Sequence, residues 1–106
     1  MGFLDQFSHF KDSYNEYQNT PQEEYKSKIS NELIASAASY EAAKAYEKYV
    51  FENGKPDSYD EAKERFAGYA GAFIDIEAEI KGLDFIDTVM AKHRAKVQFQ
   101  EEHYNY

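Results

Sequence analysis

The sequence predicts an all-α fold: a small antiparallel bundle of three main helices preceded by a short amphipathic N-terminal helix. Two long alanine-rich segments, residues 31–47 and 67–87, carry apolar residues at helical spacing. Thr20-Pro21-Gln22-Glu23 and Ser58-x-x-Glu61 have the form of capping boxes, and Asn53-Gly54 and Gly82 are stop signals. No segment alternates with period two for long enough to suggest a sheet. A chain of 106 residues makes one domain with a modest core, read as an aromatic arm over 1–19 and a helical core over 20–104.

The arm places Phe3, Phe7, Phe10, Tyr14 and Tyr17 four, three, four and three residues apart, which is one stripe on a helix. Its charged residues Asp5, Lys11, Asp12 and Glu16 are net negative, which disfavours adsorption to anionic lipid. The first main helix is expected over about 21–52, from the Thr20 capping box to Gly54, with Pro56 just beyond. The second runs over 58–81 and carries two apolar stripes. One is Ala62, Phe66, Tyr69, Phe73, Ile76 and Ile80; the other is Ala67, Gly71, Ile74 and Ala78. Two stripes mark it as the central element, and close helix approach at Gly68 and Gly71 would offset the helix propensity those glycines forfeit. Asp84 caps the third helix, over about 84–103, whose apolar face comprises Ile86, Val89, Met90, His93, Val97 and Tyr104.

Composition removes several function classes. Net charge is −8, with 20 acidic against 12 basic residues, so the positive footprint that a nucleic-acid binder needs is lacking. The one basic cluster, Lys92, His93, Arg94 and Lys96, reads as a solvated helix face. The chain has no cysteine, which excludes disulfides, thiol catalysis and thiolate metal sites. No apolar run approaches the length of a membrane span and no secretory signal is visible, so a cytoplasmic protein is expected.

The runs Glu32-Leu-Ile-Ala-x-Ala-Ala-Ser-Tyr-Glu-Ala-Ala-Lys-Ala-Tyr-Glu47 and Ala67-Gly-Tyr-Ala-Gly-Ala72, with Lys81-Gly-Leu-Asp-Phe-Ile-Asp87 beyond, are long and unusual. Across residues 27 to 96 the chain resembles the fungal CipC-like family of small stress-associated proteins, induced by concanamycin and other antibiotics. The resemblance implies expression under stress or antibiotic exposure. That family has no established activity, so the resemblance implies no reaction.

His93 falls mid-face on the third helix, where it serves as a hydrogen-bonded core or interface residue, or as a ligand or proton-transfer group, unless the helix is rotated and it faces water. Glu41, Lys44, Glu47 and Glu77 are its candidate partners. Carboxylates and an imidazole converging from three helices make a metal or acid–base site in carboxylate-bridged bundles, but the paired Glu-x-x-His motifs of those bundles are missing. Ion pairs such as Glu41–Lys44 on a wet surface are the competing reading. No catalytic residue, metal ligand set or cofactor is assigned. Ten Tyr and eight Phe point to core, interface or an apolar ligand pocket. The surplus of apolar faces predicts a homodimer at micromolar concentration, with Phe3, Phe7, Phe10, Tyr14 and Tyr17 as interface candidates. The alternative is that the arm folds back on its own domain.

Overall fold

The computed structural model describes residues 3–102. A 3-10 segment, Phe3–Phe10, leads directly into α1 (Lys11–Asn19). After a 3-10 turn, Gln22–Glu24, come α2 (Tyr25–Lys28), α3 (Asn31–Asn53), α4 (Tyr59–Lys81) and α5 (Thr88–Glu102). The described residues contain no strand, and the all-α prediction holds.

Local chemistry sets the helix ends. The Ser30 hydroxyl accepts the Leu33 amide at 3.0 Å and starts α3, and Ser58 does the same for Glu61 at 3.1 Å to start α4. Gly54, with φ +84°, stops α3. Gly82 is left-handed, with φ +64°, and lets the Leu83 amide reach back to the Ala78 carbonyl at 2.9 Å, which turns Leu83 into the core. A side chain at Gly82 would strain the backbone that this reversal needs.

Two predicted starts lie elsewhere. Thr20 starts no helix; it caps the C-terminal end of α1, its hydroxyl donating to the Glu16 carbonyl at 2.7 Å. Ile29 turns extended and is buried, which ends α2, so the helix expected over 21–52 is two helices with the long one restarting at Ser30. Asp84 belongs to the turn after α4. The start of α5 is capped by Asp87, whose carboxylate accepts the Met90 amide at 3.1 Å, while the Asp87 amide is held by Asn31 Oδ1 at 3.0 Å.

The central helix is α3, not α4. The arm, α4 and α5 all pack against it. Its run Ala35, Ala37, Ala38, Ala42 and Ala43 is buried almost completely, because small side chains admit neighbours on several sides. One face of α4 is buried, through Ala62, Phe66, Ala70 and Ile74, whereas Ile76 and Ile80 at the end of the predicted main stripe are 54% and 72% exposed. A seven-residue repeat drifts round a straight helix, and here the drift carries the stripe out of the core. The glycines are not sites of close approach either. A Cβ at Gly68 would meet nothing within 4 Å, and one at Gly71 would meet only the Lys92 side chain, at 3.7 Å.

Aromatic rings fill the centre. Phe7, from the arm, packs on Phe66 at 5.1 Å between centroids and on Phe99 at 6.4 Å, and Phe66 and Phe99 lie 4.8 Å apart. All three are fully buried. Burial of this size, about 1.5–3 kcal/mol per large side chain, is what holds the arm in place.

Candidate functional site

The predicted site residues fall into three separate places. The first joins α1 to α4. Tyr17 is fully buried as a side chain, and its hydroxyl donates to Glu77 Oε1 at 3.0 Å. Lys81 sits one turn along α4 from Glu77, with Nζ 3.5 Å from the same oxygen and 4.1 Å from the centre of the Tyr17 ring. Burial pushes the Tyr17 hydroxyl far above the usual phenol range, reinforced by the negative charge of Glu77 and by the hydrogen bond to it. A phenol held this firmly in its protonated form is a donor and not a base or nucleophile. Chemically the cluster is a latch: it fixes the arm to α4 with a charge-assisted hydrogen bond.

The second place is the outer flank of α3. Glu41 and Lys44 pair at 3.2 Å, one turn apart, and the Lys44 ammonium lies 5.2 Å from the Tyr14 ring centre and 5.5 Å from that of Tyr40. The third is Glu47, whose Oε2 accepts the Leu4 amide at 3.1 Å. It satisfies a backbone donor at the start of the 3-10 segment that has no partner within that segment.

His93 joins none of these. It is exposed on α5, because the buried face of that helix is Ala91, Ala95, Gln98 and Phe99. Of the face expected from the sequence, Ile86 is buried ahead of α5 and Val97 is half-buried, whereas Val89 and Met90 stand in solvent beside His93. Tyr104 lies outside the described residues. Among the described residues no three His, Asp or Glu side chains are grouped so as to hold a metal ion. The convergence of His93 with Glu41, Glu47 and Glu77 therefore does not occur.

The interface candidates are largely spent inside the chain. Phe7 and Tyr17 are fully buried, and Phe10 and Tyr14 are half-buried, with Tyr14 against Tyr40 and Phe73 at 5.3 and 6.5 Å. The side chain of Phe3 lies outside the described residues. The arm folds back on its own domain, so Phe7 and Tyr17 cannot serve as contacts to a second copy while it is seated.

The polar centre that sequence reasoning missed lies between α3 and α5. Gln98 is buried, accepts the Ser39 hydroxyl at 2.6 Å, and donates to Ser36 Oγ at 3.0 Å and to Glu32 Oε2 at 3.2 Å. Arg94 extends the network outward, with Nε 2.8 Å from Glu32 Oε1. All the polar atoms of Gln98 that must be satisfied in a dry seam have a partner. The signal available in sequence was Ser36 and Ser39, one turn apart in an otherwise alanine-lined helix, which can meet a facing amide. The network fixes the register of α5 on α3 and leaves no group free for chemistry.

No helix among the described residues is long and apolar enough to cross a membrane. Neither a curated protein nor a solved structure matches the chain. A family profile does match, from Ser13 in α1 to Asn105, and so takes in the latch, the alanine-lined α3 and the Gln98 network but not the 3-10 segment. Over that span the chain belongs to the virulence factor CipC-like family.

Proposed function

We propose that this CipC-like chain is a small cytoplasmic stress-response protein of fungal type that acts by binding or self-association rather than by catalysis. One observation carries the reading. Most of the side chains suited to chemistry are spent on structural contacts: Glu77 on Tyr17 and, within α4, on Lys81, Glu47 on the Leu4 amide, and Gln98 on Ser36 and Ser39. Large apolar side chains stand in water instead, with Phe51, Ile76, Ile80, Val89 and Met90 all more than half exposed. Exposed apolar surface on a protein of this size favours association. Sedimentation velocity of the full chain between 1 and about 200 μM tests it, since a homodimer is expected in the micromolar range, equivalent to about −8 kcal/mol at 1 μM. A strictly monomeric species across that range would refute self-association.

A further inference from the structure

The outer face of α4 carries the pattern of a surface that fits a second copy of itself. At 100° per residue, Arg65, Gly68, Ala72, Ile76 and Glu79 fall within an arc of about 80°, turned away from the buried Phe66 and Ile74. Gly68, Ala72, Ile76 and Glu79 are exposed, and the space beyond Gly68 is open to at least 4 Å. The face thus has open space at one glycine, a projecting isoleucine two turns on, Arg65 with Glu61 a turn before it towards one end, and Glu79 towards the other.

A two-fold contact between antiparallel helices pairs residues placed symmetrically about one position. With that position at Ala72, alanine meets alanine and the backbones come close. Gly68 then lies opposite Ile76 of the partner subunit, a knob over a hollow, in both directions. Arg65 lies opposite Glu79 of the partner subunit, again twice. Arg65 is held in place for this, its guanidinium stacked on Tyr49 at 3.8 Å. A carboxylate at the edge of a stacked guanidinium meets the donors such a stack leaves free. Centring the two-fold at Ala72 satisfies the small-to-large match and the charge match together. We infer that α4 is the self-association surface of this protein, occupied by α4 of a second copy in antiparallel orientation. The inference rests on the self-association reading and gives it a place.

The test uses the full chain. Because the protein has no cysteine, Ala72→Cys introduces a single thiol, on the proposed two-fold axis. A short bismaleimide should convert it to a covalent dimer at micromolar protein, and a thiol placed instead at Asp57, beyond α4, should not cross-link. In sedimentation velocity, Ile76→Glu should raise the dimer dissociation constant at least about tenfold. Glu79→Arg should weaken it by opposing two arginines, and the Arg65→Glu/Glu79→Arg pair should recover most of that loss. Circular dichroism melting of each variant at sub-micromolar concentration separates weakened association from unfolding. If the wild type dimerises while Ala72→Cys stays uncross-linked and Ile76→Glu binds as tightly, α4 is the wrong surface and self-association stands. If the wild type is monomeric throughout, both fall.

Discussion

The two sides of α3 are built by different means. Towards the arm and α4 the contacts are aromatic: Tyr14 of the arm meets Tyr40 of α3, and Phe7 stacks on Phe66 of α4, joined there by Phe99 from the end of α5, with Tyr14 and Tyr17 on Phe73 towards the rim. Against the rest of α5 the contact is small and polar: Ala91 and Ala95 are buried, with Gln98 bonded to Ser36 and Ser39. Each buried ring on the aromatic side removes a large apolar surface from water. The polar side supplies register, since a slip of α5 would leave a buried amide and two hydroxyls unpaired, at about 1–3 kcal/mol each. Strength and specificity thus rest on different contacts within one core.

The hardest blow to the aromatic side is Phe7→Ala. It opens a hole between Phe66 and Phe99 and releases the arm, and it should cost about 3–5 kcal/mol in chemical denaturation. A loss below 1 kcal/mol would mean that the arm contributes little to the core. On the polar side, Gln98→Leu should cost about 1–3 kcal/mol for each hydroxyl it strands. Adding Ser36→Ala and Ser39→Ala to it should recover most of that loss, because an apolar seam of similar shape has nothing left to satisfy. If the triple variant is no more stable than Gln98→Leu, packing and not hydrogen bonding governs α5.

The latch sharpens the comparison by pH. An unfolded tyrosine ionises near pH 10, and folded Tyr17 holds its proton well above that. Its contribution is therefore complete below pH 10 and is lost as pH rises further, where only the unfolded chain releases the proton. Between pH 10 and 11 the wild type should lose up to about 1.4 kcal/mol more than Tyr17→Phe, followed by urea titration at each pH. Parallel curves would contradict a buried, protonated Tyr17. The smallest expected effect lies outside both faces. Gly71→Ala adds a methyl in ordinary contact with Lys92 and should stabilise by up to about 1 kcal/mol, read as a rise in Tm. A fall in Tm would restore the case for close packing at that glycine.

Local signals were the legible ones. Ser58, Gly54 and Gly82 end their helices where their own chemistry requires, and the alternation of starts and stops was enough for the fold class. What depended on long-range packing was not legible. Ile29 breaks a good helical pattern because the core takes its side chain, which no neighbouring residue announces. Val89, Met90 and His93 form as plausible an apolar face as Ala91, Ala95 and Phe99. Only the demand of Ser36 and Ser39 for Gln98 decides which one turns inward. The candidate glutamates each meet a different neighbour: Glu47 and Glu77 are bonded to the arm, and Glu41 pairs with Lys44 on its own helix.

The 3-10 segment has a consequence for the order of events in synthesis. Eight residues of this geometry are longer than such turns usually persist alone, so Phe3–Phe10 depends on what Phe7 touches. Those rings, Phe66 and Phe99, emerge from the ribosome long after Phe7. Throughout elongation the nascent chain carries Phe7 unsheltered, and the segment around it becomes structured only after the residues that cover it have been made.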